Sequence, residues 1–403
     1  MSAESVDIAI VGGGPAGLTT ALALVRADAN LAERVVVLEK GVYPRDKYCA
    51  GAVGGRGDKI LASLGARPDV PSVPIRGISF RGRMGEQAQR VGEIGRVVRR
   101  IEFDHALARI AQDRGVRILE QAPALRVEVT GHGATVATAR GDYRARIVVG
   151  ADGVGSLVRK AAGLGAGALR AQVLELDTER TASDPDGDLV HFDTSDRGFS
   201  GYYWDFPTCV GGRDLVCRGI YHLRTGPSDL DIRARLGARL AGMGLAIDDY
   251  KNKRFAERGL AENEPLVSGP LVLVGEAAGI DPVTGEGIAQ AIEYGSLAGR
   301  FLADVLERKR ELAGWTEVVN RSRLGVDLRI RRRLARTFFG PSRERVEQLL
   351  VTSPAAVRAG CRHFGALPAE NRELLDVGWR TAGVLFHSVL RRSISKALSG
   401  TRS

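Results

Sequence analysis

The sequence predicts a mixed α/β chain in which a parallel-sheet domain is interleaved with a second, β-sheet domain and followed by a helical C-terminal region. Three observations carry this. Residues 6–24 run from a short apolar strand through Gly12, Gly13, Gly14, Pro15, Ala16 and Gly17 into a helix rich in Leu and Ala. Similar apolar runs, the mark of strands buried on both faces, recur at residues 35–38, 147–149 and 271–274. Residues 171–264 differ, being rich in β-formers and aromatics and cut by turns such as Asp184, Pro185, Asp186 and Gly187. The expected division is 1–170 with 265–306 for the first domain, 171–264 for the second and 307–403 for the helical region, with 75–100 open to contributing to the second.

Strand, glycine turn, helix is the order that a Rossmann-type dinucleotide site needs. Gly12 allows the tight turn, Gly14 lets a pyrophosphate approach the backbone, and Gly17 lets helix and strand lie close. Phosphates then sit on free N–H groups at the helix start, beside Pro15 and Ala16. Glu39, followed by Lys40, ends the second strand about 20 residues on, where a ribose-hydroxyl acceptor is expected.

At 403 residues, 44% hydrophobic and 26% charged, the chain has the composition of a folded protein of two or three domains. Its net charge of +10 is uneven: 20 of 58 Lys+Arg and 9 of 48 Asp+Glu lie from Glu307 onward, so the C-terminal quarter carries +11 and the rest −1. Attraction to an anionic partner therefore belongs to the C-terminal quarter. Nucleic acid is not an expected partner, because no binding motif accompanies the charge. A secretory signal is not expected, and no run of ~18 apolar residues that would span a membrane is found. Cys49, Cys209, Cys217 and Cys361 lack zinc-type spacing and suit a reducing cytosol, so neither a metal site nor a Cys209–Cys217 bridge is expected. The expected location is cytoplasmic, with peripheral attachment to a membrane left open.

After Glu39 comes a loop of aromatic, charged and thiol groups that contains Pro44, Arg45, Lys47, Cys49, Ala50 and Gly51. Here the chain resembles the geranylgeranyl reductase family of FAD-dependent oxidoreductases, whose Pro-Arg-x-Lys-x-Cys-x-Gly loop these residues match, with Ala50 where the family more often has glycine. The resemblance implies FAD as cofactor, with this loop, Arg45 to Gly51, against it and Cys49 close to the flavin ring. On the residues alone Cys49 reads equally as a small buried hydrophobe. Arg100, Phe103, Asp104 and Leu107 match the family's Arg-x-x-Phe-Asp-x-x-Leu element, which implies that Arg100 lies near the cofactor. On sequence alone Arg100 is as readily a solvated helix-start residue.

The run Gly150, Ala151, Asp152, Gly153 is similar to the turn by which the wider class of aromatic hydroxylases and flavin halogenases returns to FAD, and it implies a hydroxyl- or water-holding role for Asp152. Period two places Tyr202, Trp204 and Phe206 on one strand face, an apolar and aromatic wall or else an ordinary core strand. The spacing resembles the family's Tyr-x-Trp-x-Phe-Pro motif, which lines a substrate cavity, although Thr208 stands where lysine is usual. The stretch Gly275, Glu276, Ala277, Ala278, Gly279 and then Pro282, Thr284, Gly285, Gly287, Ile288 resembles two further family elements at the flavin, with Glu276 replacing aspartate. A helix starting near Gly285 to Ile288 would aim its N-terminus at the ring and favour the negative charge of reduced flavin.

The resemblance implies reduction of carbon–carbon double bonds in an apolar, isoprenoid-like substrate by hydride from reduced flavin N5. Cys49, or a water it orients, is the expected proton source, and Tyr202 and Trp204 are further catalytic candidates. Two other readings stand: a monooxygenase or halogenase acting on a small-molecule or protein-bound aromatic, and a flavin-binding accessory protein that recognises an acidic protein partner through the basic tail. With no second glycine motif, NADPH or NADH would act only as a transient electron donor. The tail, with Arg329, Arg331, Arg332, Arg333 and Arg336 and then Val384, Leu385, Phe386, Val389 and Leu390 beside Arg391, Arg392 and Lys396, suits either an interfacial amphipathic surface or a helical cap over the second domain.

Overall fold

The computed structural model describes residues 3–167, 169–224 and 229–373. The hydrophobic run of the tail from Val384 and its basic neighbours Arg391, Arg392 and Lys396 lie outside these. The chain begins with β1 (Glu4–Val11), α1 (Pro15–Ala27), β2 (Val35–Leu38), β3 (Ala52–Gly54) and α2 (Gly55–Ser63). A long hairpin follows, β4 (Ser72–Gly82) and β5 (Gly85–Val98), then α3 (Arg100–Gln112), β6 (Arg117–Leu119), β7 (Ala124–Thr130), β8 (Gly133–Thr138), β9 (Gly141–Gly150) and α4 (Leu157–Ala161). Next come β10 (Arg170–Thr178), β11 (Leu189–Asp193), β12 (Gly201–Val210), β13 (Arg213–Arg224), α5 (Ile232–Ala241) and β14 (Lys253–Arg258). The chain then returns through β15 (Val267–Ser268), β16 (Leu271–Leu273) and the short α6 (Gly275–Ala278) to α7 (Ile288–Leu306). Helices α8 (Trp315–Arg321), α9 (Arg323–Phe338), α10 (Arg343–Thr352) and α11 (Pro354–Phe364) follow.

Two sheets result. The first has the order β15-β16-β9-β1-β2-β6, extended by the β7–β8 hairpin on β9. From β16 to β6 its pairs are parallel, in register Ile8↔Val35 and Ile8↔Ile147. Ile8, Ala9 and Ile10 are fully buried, as strands covered on both faces must be. Connections from β1 run to both sides, so the crevice beyond its carboxyl end is the switch point where such sheets bind ligands. The second sheet, β14-β10-β13-β12-β11-β4-β5-β3, is antiparallel except where β11 meets β4. It draws three of its strands from residues 52–98, ahead of the aromatic stretch.

Alternation along the second sheet separates two faces. Val173, Tyr202, Trp204, Phe206 and Tyr221 pack on the side of the helical C-terminal region, and Leu174, Leu176, Tyr203 and Ile220 pack under α5. The C-terminal helices are integral. Trp315 is fully buried and its indole N–H donates to Leu273 O at 3.0 Å. Arg343 donates to the carbonyls of Phe199, Thr194, Asp196 and Gly201, which ties α10 to the second sheet. Through residue 364 the cap alternative describes the tail. A solvent-facing stripe of Val326, Ile330 and Leu334 nonetheless remains along α9.

Candidate functional site

At the end of β1 the backbone turns at Gly12 with φ +106°, where a Cβ would lie 2.4 Å from Ala151 O. A Cβ on Gly17 would lie 2.0 Å from Gly12 O, so the helix reaches the strand end only because Gly17 has no side chain. Gly14 is different: a Cβ there would meet only Arg100 Nη2, at 3.9 Å, because the residue faces a cavity of about 410 Å³. Gly14 is also the N-cap of α1 with no side-chain cap, which leaves the first-turn N–H groups free for an anion. Gly12, Pro15, Ala16, Lys40 and Arg45 line the same cavity.

Glu39 is buried at its edge. Its Oε2 accepts from Gly13 N–H and from Arg45, each at 3.0 Å, and its Oε1 accepts from Gly41 N–H at 2.8 Å. These donors leave one acceptor position for a ribose hydroxyl. Arg45 continues to Asp104 at 3.0 Å, and Asp104 takes Arg100 bidentately at 2.6 and 2.7 Å. This chain of charges resolves the alternatives for Arg100. Only 9% of its side chain is exposed, it lines the cavity, and it brings a positive charge toward Gly14.

Some expected cofactor contacts fall elsewhere. Asp152 does line the cavity, but it has a second task, since its oxygens accept from the Ser156 hydroxyl and from Leu157 and Val158 N–H at the start of α4, which leaves one acceptor position on Oδ1. Gly275 is not on the cavity surface. Its φ is +57° and a Cβ would lie 2.7 Å from that of Ala16, so it serves close packing of the α6 turn on α1. Ala50 and Gly51 line only the adjoining apolar cavity, because the loop has by then turned into β3.

Glu276 is on the surface of the larger cavity, and its Oε1 is buried with no partner among the described residues. Burial pushes this carboxyl up, against the opposing pull of Lys47 and Arg100. Such an orphan acceptor suits a hydroxyl-bearing ligand. Free N–H groups over an unobstructed glycine, an arginine beside them, a remaining acceptor on Glu39 and the orphan oxygen of Glu276 together fit the phosphates and hydroxyls of FAD.

The second cavity, about 250 Å³, is walled by Tyr202, Trp204, Phe206, Phe192, Tyr221 and Phe255. Tyr202 donates its hydroxyl to Thr284 O at 2.5 Å, and burial pushes that phenol well up. Trp204 Nε1 has no partner among the described residues. Tyr202 and Trp204 therefore build a wall and offer no readily titrating proton. Arg331, Gly360, His363 and Phe364 of the C-terminal region complete it. Arg331 is clasped by Asp281 at 2.5 Å, Glu286 at 2.9 Å and Asp327 at 3.2 Å, which holds α9 against the turn leading into α7.

The cavities meet at six shared residues, Cys49, Phe255, Glu257, Gly285, Gly287 and Ile288. The N-terminus of α7 opens there, with Gly287 as an N-cap that has no side-chain cap. Cys49 Sγ accepts from Gly51 N–H at 3.4 Å. Burial pushes its pKa up against the pull of Arg100, so it is a thiol at neutral pH. Phe255 and Glu257 escaped the sequence reading, and so did Arg331 as a wall residue. The alternation at residues 253–258 marks Phe255 and Glu257 as sharing a face, but nothing local says what that face meets.

Similarity to known proteins points to the same cofactor. A family model described as FAD dependent oxidoreductase matches residues 93–249. A menaquinone reductase of Mycobacterium tuberculosis is 26% identical over 96% of this chain and 98% of its own length. A digeranylgeranylglycerophospholipid reductase of Thermoplasma volcanium is 28% identical over 75% of this chain and 79% of its own length. A solved flavin-dependent brominase, 18% identical, shares the fold with a TM-score of 0.70, covering 95% of this chain and 99% of that one. Among the described residues no helix is long and apolar enough to cross a membrane. The chain is an FAD-dependent oxidoreductase, similar along most of its length to proteins named as reductases and built on a fold shared with the brominase.

Proposed function

We propose that the protein reduces carbon–carbon double bonds of an apolar, isoprenoid-like substrate. The observation that carries the reading is the junction, where the cofactor cavity opens into an aromatic cavity across Cys49, Phe255, Glu257 and the start of α7. Bound FAD, once reduced, supplies hydride. The chain's own groups do the rest. Tyr202, Trp204 and Phe206 hold an apolar chain and exclude water, and the free N–H groups of α7 favour negative charge beside them. The names of two relatives support the substrate class, since menaquinone and digeranylgeranylglycerophospholipid both carry prenyl chains.

The test is to reduce the holoenzyme chemically without oxygen, add digeranylgeranylglycerophospholipid and weigh the product. A product heavier by the mass of H₂ per double bond, with flavin reoxidised, supports the reading. Reoxidation that requires oxygen and yields an oxygenated or halogenated product sinks it.

A further inference from the structure

Of the residues shared by the two cavities, only Cys49 and Glu257 carry a titratable side chain. Glu257 sits on β14 opposite Ala171, two residues from Phe255 on the same face. Its Oε2 abuts Gly285, where a Cβ would come within 2.7 Å, and has no hydrogen-bond partner among the described residues. A carboxylate with one oxygen buried and without a donor among the described residues bears a desolvation cost that a neutral carboxylic acid largely avoids. The surroundings add to this. Burial, then Glu276, Asp281 and Glu175, push the Glu257 carboxyl well above the usual carboxylate range, and Lys47 is the opposing charge. Tyr202 and Tyr221, which also face it, are themselves held protonated. Cys49, by contrast, has its sulfur engaged by Gly51 N–H and flanked by Arg100.

We propose that Glu257 is the catalytic acid of the reduction, delivering its proton into the aromatic cavity from the face where the cofactor cavity joins it. This rests on the double-bond reading above. Hydride from reduced flavin forms a C–H bond at one alkene carbon as the π bond breaks. The electron pair left on the other carbon takes the Glu257 proton. Flavin ends oxidised and Glu257 ends as a carboxylate, which solvent reprotonates before the next turnover. The expected proton source at Cys49 is thereby replaced by a group whose charge state can cycle without a thiolate.

Two measurements test this on the full chain. Infrared spectroscopy of the resting protein at neutral pH, without substrate, should show the C=O stretch of a buried protonated carboxyl that Glu257→Gln removes and Glu257→Asp shifts. If Glu257→Gln leaves the carboxyl bands unchanged, Glu257 is ionised and the proposal is overturned. Anaerobic single turnover of pre-reduced enzyme with geranylgeraniol as probe should slow by at least ~100-fold in Glu257→Gln, the scale of a lost general acid. Glu257→Asp should recover part of the rate. Retained FAD content checks that the variants fold. Full turnover in Glu257→Gln overturns the proposal, as does a loss confined to Cys49→Ala. If wild type shows the carboxyl band yet reduces no polyprenyl probe, the double-bond reading has failed and the catalytic role falls with it, while the band still reports a neutral Glu257.

Discussion

Replacing Glu175 by Gln should flatten the pH dependence of stability. Glu175 lies on β10 beside Cys49, fully buried, and neither oxygen has a hydrogen-bond partner among the described residues. Burial, opposed by Lys253 and reinforced by Asp177, pushes its carboxyl up to about 7 from an ordinary 4.5. The folded protein thus holds this proton to a higher pH than the unfolded chain does. Stability is full below the unfolded value, falls as pH rises through about 7 and then levels off. At ~1.4 kcal/mol per unit, the loss between about pH 5 and about pH 9 comes to roughly 2–3 kcal/mol. Glutamine keeps the volume without the charge. Its own unpaired amide costs about 1–3 kcal/mol, but equally at every pH, so the slope is the readout. Urea unfolding of wild type and variant across that range, followed by tryptophan fluorescence, measures it. Equal slopes in the two proteins would mean that Glu175 does not hold a proton near neutral pH in the folded state.

Gly14→Val should leave the fold intact, since its Cβ would face the cavity, yet weaken FAD binding by at least ~100-fold, equivalent to ~3 kcal/mol; fluorescence titration of the apoprotein with FAD checks this. Arg331→Met should destabilise the protein by about 3 kcal/mol or more, because Asp281, Glu286 and Asp327 lose their shared, largely buried cation; chemical denaturation reads the loss. The stripe Val326, Ile330 and Leu334 lies beside the exposed Arg333 and Arg336 on α9. Binding to anionic vesicles should follow from it, weaken as salt shortens screening below ~8 Å, and be lost in Ile330→Asp; a cosedimentation assay that shows no binding at any salt contradicts this.

The first sheet was legible because its information is local. A glycine turn after an apolar strand carries its own geometry, and Gly12, Gly14 and Gly17 each do a separate steric job at the spacing the sequence displays. The aromatic stripe was legible for the same reason, since period two alone puts Tyr202, Trp204 and Phe206 together. What escaped depends on distant partners. Asp152 reads as a cavity residue alone until Ser156, Leu157 and Val158 are seen to share its carboxylate. Gly275 reads as cofactor-facing until Ala16 is found against it. Arg331 looks like one more basic residue in a charged tail, because two of the three carboxylates that clasp it, Asp281 and Glu286, come from the distant turn before α7 and only Asp327 from its own helix. Glu257 carries no motif; its character comes from Gly285, Glu276 and Asp281, all brought in by the returning chain.

The most direct test of the account is a crystal structure of the holoenzyme. The FAD pyrophosphate is expected on the first turn of α1 beside Arg100, and the isoalloxazine ring at the junction lined by Cys49, Phe255, Glu257 and Ile288, with one edge open to the Tyr202, Trp204 and Phe206 wall. Density that puts the ring outside that junction, with the aromatic cavity closed off from it, would contradict the account.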